Sequence, residues 1–234
     1  MRFPRFLRRF GFAQPSTAPR DEAPFAVGFH GDRYLLEVVN MIRPHVFALV
    51  ETGTNLGSTA GYVGRRFGDL PVWSCELDPA AARRATAYVE TLPNVHVTTS
   101  ASPEFLETLL VRERVVRDRA TLFFLDAHGH GFDWPLKKEL RLITENLDHA
   151  VVIIDDFRVP GRPGFSYGTY EGVVCDHEYI RPALAPRDYV LYCPAYSEHT
   201  SPHHPLVGYA VLLWGMVELT DLLDTCPRLE RCTL

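Results

Sequence analysis

Three carboxylates fall where an α/β protein would do chemistry. The apolar run ATLFFLDA (residues 120–127) ends in Asp126, and AVVIIDD (residues 150–156) ends in Asp155 and Asp156. Acids that converge at the ends of buried strands repel one another unless a cation sits among them. Oxygen-only ligation favours Mg²⁺ or another hard divalent ion. His128 and His130 follow directly in DAHGHG. A histidine there suits a general base near neutral pH, and His128 stands nearer to Asp126. The same residues allow plainer roles: helix caps, a pair with Arg158, or imidazoles facing solvent.

A second constellation precedes it. The run Phe47–Val50 ends in Glu51, and the turn Gly53-Thr54-Asn55-Leu56-Gly57 follows. Glycines there let the backbone take positive φ and approach a ligand closely. About 20 residues on, VWSCELD places Glu76 at the end of another apolar run, where an acid accepts hydrogen bonds from ribose hydroxyls. The spacing is G-x-N-x-G, with Ser58 where a dinucleotide fingerprint has its third glycine. A carboxylate beside the turn also suits a cationic ligand better than a pyrophosphate. A purely structural turn is the alternative.

Alternating elements position these groups. GDRYLLEVVNMIR (31–43) puts Leu35, Val38, Val39 and Ile42 on one helical face. Strand-like runs follow at 47–53, 71–77, 94–100, 120–127 and 150–156, separated by helical patterns, and two further runs at 188–194 and 208–215 have no long helix between them. This pattern predicts an α/β fold with a doubly wound, mostly parallel, Rossmann-like sheet and an antiparallel pair at one edge.

The 234 residues fit one domain over 25–234, preceded by an arm and linker over 1–24. MRFPRFLRRFGF interleaves arginines with phenylalanines. It reads as a contact of residues 1–12 with an anionic membrane, a cover for the site, or a frayed end broken at Pro4. A net charge of -5 argues against nucleic acid as a partner. Five cysteines without paired spacing favour a reducing, cytoplasmic setting. No apolar run approaches the roughly 18 residues of a membrane span.

Together, the E-x-G-x-x-x-G turn, Glu76 in CELDP, FLDAH and IIDDFRVPGRPGF resemble class I S-adenosylmethionine-dependent methyltransferases. Within that class they are most similar to the metal-dependent catechol O-methyltransferase-like and sugar O-methyltransferase groups. The resemblance covers roughly residues 31–215. It implies strand order 3-2-1-4-5-7-6 with the last strand antiparallel. It implies S-adenosylmethionine held by Glu51, Gly53, Thr54, Asn55, Gly57, Glu76, Ser102 and Asp126, with Ser102 at the adenine. It implies Mg²⁺ on Asp126, Asp155 and Asp156, and O-methylation of a small hydroxylated acceptor. Catechol enzymes carry a lysine base where this chain has Gly129, which leaves His128 or His130 for that role. A dinucleotide-dependent enzyme, a hydroxylase on the same fold and a non-catalytic scaffold are the rival functions, and a homodimer is compatible with edge strands and the arm.

Overall fold

The computed structural model describes residues 27–127, 134–197 and 206–232. The arm, His128, His130 and the histidines of the 198–205 segment lie outside them. An eight-stranded sheet forms the centre. Its parallel strands are β1 (Ala48–Thr52), β2 (Val72–Glu76), β3 (Val95–Thr99), β4 (Thr121–Leu125) and β5 (Ala150–Ile154). The sequence separates them with helices α1 (Arg33–Ile42, before β1), α2 (Ser58–Arg66), α3 (Pro79–Val89), α4 (Ser102–Arg112), α5 (Arg114–Asp118) and α6 (Leu136–Asn146). A two-residue hairpin, β6 (Thr169–Tyr170) and β7 (Val173–Val174), precedes α7 (His177–Leu184). Strands β8 (Val190–Pro194) and β9 (Ala210–Trp214), helix α8 (Val217–Asp224) and strand β10 (Leu229–Arg231) complete the described chain.

Every residue of β1, β4, β5 and β9 is buried, so these strands lack the apolar–polar alternation of a one-sided sheet. The order is β10-β8-β9-β5-β4-β1-β2-β3. Strand β9 runs antiparallel to both β5 and β8, as the helix-poor end predicted. The order reverses between β1 and β4, and in open α/β sheets ligands bind beyond the carboxyl ends of the strands at that point. The chain's acids end those same strands.

Helix α1 buries Tyr34, Leu35, Val38, Val39 and Ile42, which includes the whole predicted face. Asp32 caps it, accepting from the N–H groups of Tyr34 and Leu35. Its other oxygen accepts from the Tyr196 hydroxyl at 2.6 Å, which ties the helix start to the chain beyond β8.

Two features depart from the sequence expectation. Seven strands were predicted, and β10 adds an eighth outside β8. Cys193 and Cys232 form a disulfide with Cα atoms 5.6 Å apart, anchoring the end of the described chain to β8. Cys75, Cys175 and Cys226 are buried thiols. No helix among the described residues is long and apolar enough to cross a membrane.

Candidate active site

The turn after β1 is built on two glycines with positive φ, Gly53 at 85° and Gly57 at 87°. The N–H groups of Gly53 and Thr54 both donate to the Cys75 carbonyl, at 3.0 and 2.9 Å, folding the turn back over β2. Gly53 admits no side chain: a Cβ there would sit 2.4 Å from the Asp126 carbonyl oxygen. Gly57 opens α2 against Ala85. Asn55, exposed and also at positive φ, donates its N–H to Glu76 Oε2 at 2.7 Å, and Asp78 N–H reaches Oε1 at 2.9 Å. Two backbone donors therefore orient the Glu76 carboxylate, and each oxygen keeps a lone pair for a further donor.

Glu51 is buried at 2% exposure. Ser74, its register partner on β2, donates to Glu51 Oε2 at 2.5 Å and meets the Thr54 hydroxyl at 2.5 Å. Burial pushes the Glu51 carboxyl up to about 8, against the Ser74 and Thr59 hydroxyls, which favour its ionised form. Ser102 begins α4 and is buried. Behind it and Thr52 lies Glu139 of α6, fully buried, with neither oxygen hydrogen-bonded among the described residues. Burial raises Glu139 to about 7; the Ser102 and Thr52 hydroxyls pull the other way without reaching good hydrogen-bond geometry.

The second half of the site starts one residue past β4. Asp126 N–H donates to the Thr52 carbonyl, and Asp155 N–H donates to the Leu125 carbonyl, so both acids stand at adjacent strand ends. Loss of solvation, followed by the charges of Asp155 and Asp156, holds the Asp126 carboxyl well above the ordinary carboxylate range. Asp156 is half-buried at φ 54°, and its backbone carbonyl accepts from Gly168 N–H at 2.7 Å. Arg158 does not neutralise the acid pair, since it forms an ion pair with Asp176 at 2.5 Å.

His30 also reaches this cluster, and sequence reasoning missed it. Its Nε2 lies 3.0 Å from Asp155 Oδ2. The Asp155 charge raises the imidazole to about 9, although burial opposes that. One ligand atom each from His30, Asp126 and Asp155 lies within 4.8 Å of the others, a spacing that fits one cation; Asp156 stands outside that trio. Nearby, a Cβ on Gly168 would meet Asp156 at 3.2 Å and Trp134 at 3.5 Å. Trp134 stacks on Tyr179, with ring centroids 5.1 Å apart.

No protein-family model matches the sequence, and no curated protein matches it. Solved structures do. The O-methyltransferase TomG of Streptomyces achromogenes, involved in tomaymycin synthesis and crystallised with S-adenosylmethionine, superposes with a TM-score of 0.52 at 16% identity. The match covers 77% of this chain and 78% of that one. A candidate caffeoyl-CoA O-methyltransferase from Staphylococcus aureus gives a TM-score of 0.50 at 17% identity, covering 78% and 83%. The fold is the Rossmann-like fold of these methyltransferases.

Proposed function

We propose that this chain is an S-adenosylmethionine-dependent methyltransferase that methylates a hydroxyl of a small acceptor, such as a sugar, phenol or natural-product intermediate, with help from a divalent cation. One observation carries the reading. The glycine turn presses on the strand-four acid so closely that a Cβ at Gly53 would meet the Asp126 carbonyl oxygen at 2.4 Å. Groups suited to the cofactor and groups suited to a cation thus share one wall, as transfer between two bound partners requires.

When bound, S-adenosylmethionine supplies a sulfonium methyl group, and a divalent cation such as Mg²⁺ supplies Lewis acidity that lowers the pKa of an acceptor hydroxyl. This chain's residues do the rest. Glu76, fixed by Asn55 and Asp78 N–H groups, receives the ribose. Glu51, held neutral by burial, would give up its proton to a cationic methionine portion entering beside it, and Ser102 would lie at the adenine. Asp126 and Asp155 hold the cation, with Asp156 beside them. The Trp134–Tyr179 stack offers the acceptor a flat wall. The proton acceptor proposed from the sequence, His128, lies outside the described residues.

Calorimetric titration of S-adenosylmethionine tests the cofactor. Wild type binds it, and Glu76→Ala loses at least about tenfold, since a hydrogen bond to a charged group contributes about 1.5–3 kcal/mol. No binding by wild type refutes the reading. Asp126→Ala is expected to keep that binding and lose methyl transfer; normal turnover would remove Asp126 from the mechanism.

A further inference from the structure

We infer that His30 is a direct ligand of the cation site, and that its nitrogen makes the site prefer a first-row transition ion over Mg²⁺. The inference rests on the proposed metal-assisted reading and deepens it.

The segment Gly28–Gly31 is fastened so that His30 points at the strand ends. Phe29 is fully buried and packs edge-on against Phe124 of β4, with centroids 5.0 Å apart. Its N–H donates to the Thr59 hydroxyl on α2 at 3.1 Å. Gly31 and Asp32 N–H groups close back onto the Gly28 and Phe29 carbonyls, and Asp32 then caps α1. Gly28 lies so close to Tyr62 that a Cβ would meet its side chain at 2.8 Å. Phe29 is thus held to α2 and β4, Gly31 turns back onto Gly28 ahead of the α1 cap, and the imidazole is left at the end of β5. Its Nε2 approaches Asp155 Oδ2 to 3.0 Å, and Asp126 completes a trio with ligand atoms within 4.8 Å of one another. The 3.0 Å contact is a hydrogen bond, and an ion that displaces its proton could take both atoms as ligands.

The donor set is then one imidazole and two carboxylates. Carboxylates alone suit Mg²⁺, whereas imidazole suits zinc, copper, iron and nickel, and Co²⁺ stands between iron and nickel in the same affinity order.

The test uses the full chain, stripped with chelator and titrated separately with Co²⁺ and Mg²⁺. Calorimetry and the visible cobalt spectrum are the readouts, and S-adenosylmethionine binding checks folding. The expected result is Co²⁺ binding at least about tenfold tighter than Mg²⁺. His30→Ala and His30→Gln should each weaken Co²⁺ by at least about tenfold, the floor set by what even outer-shell partners contribute, with a smaller change for Mg²⁺. Co²⁺ affinity unchanged in both variants, or Mg²⁺ bound as tightly as Co²⁺, overturns the inference and leaves the metal-assisted reading standing. No ion bound by wild type that still binds S-adenosylmethionine overturns both. Absence of directly bound nitrogen in the spin-echo spectrum of Mn²⁺-loaded wild type overturns the inference without any variant.

Discussion

Glu51→Gln isolates a buried acid on β1 beside the Gly53 turn. The Glu51 carboxyl moves from an ordinary 4.5 to about 8 on folding, chiefly because it is buried. The folded chain therefore holds this proton between those values, while the unfolded chain releases it. A raised carboxyl contributes stability that is complete below the unfolded pKa and is lost as pH climbs to the folded one. At about 1.36 kcal/mol per pH unit, raising pH from about 5.5 to 8.5 costs wild type about 3 kcal/mol through this group. Glutamine carries no proton to lose, and the Ser74 hydroxyl that donates to Glu51 Oε2 can donate to its amide oxygen instead. Urea unfolding of both proteins at the two pH values gives the difference directly, because other titrating groups are common to both. Wild type should lose about 3 kcal/mol relative to Glu51→Gln across that interval. Parallel pH profiles would refute the claim that Glu51 is folded in its neutral form.

Gly53→Ala should destabilise the fold by about 2–5 kcal/mol, combining a left-handed backbone cost of about 1–2 kcal/mol with about 1–3 kcal/mol of overpacking. The residue has φ 85°, and the new Cβ would sit 2.4 Å from the Asp126 carbonyl; an unchanged urea midpoint would contradict this contact. Removing the Cys193–Cys232 bridge with Cys232→Ser opens a loop with a sequence separation of 39 residues. The chain-entropy relation puts that loss at up to about 4 kcal/mol in non-reducing unfolding experiments. Adding reductant should bring wild type down to the variant, and equal stability before reduction would show that the bridge contributes nothing.

Much of the fold was legible because burial is uniform along its central strands. Ala48–Thr52, Thr121–Leu125 and Ala150–Ile154 are enclosed on both faces, so they stand out as unbroken apolar runs. The acids became visible by contrast, each following such a run. Strand β10 has three residues, one of them buried, and its short run gives no periodic signal. His30 escaped for a different reason. It lies in a glycine-flanked stretch without periodicity, and its partner Asp155 is 125 residues away. Glu139 did leave a trace: it shares a helical face with Leu136, Leu140 and Ile143, and an acid is out of place on that buried apolar stripe.

These buried acids pose one energetic question. An ionised carboxylate taken out of water is strongly disfavoured without a partner. Around this site Glu51 and Asp126 both have raised pKa values, and Glu139 behind them is raised as well. The folded chain thus meets the cost mainly with protons, and with the imidazole of His30 set beside Asp155. Protons are exchangeable; carboxylate positions fixed by strand ends, by the Gly53 turn and by Ser74 are not. A cationic ligand entering beside Glu51, or a metal ion entering beside Asp126, would replace a proton on a group already in place, with little rearrangement of protein dipoles. That is the condition under which charged groups act most strongly, since their orientation is set before the ligand arrives. The proposed cofactor brings a positive charge to one side of the Gly53–Asp126 contact and a divalent cation brings two to the other. Under the proposed function, the same arrangement that is costly in the fold alone would suit both.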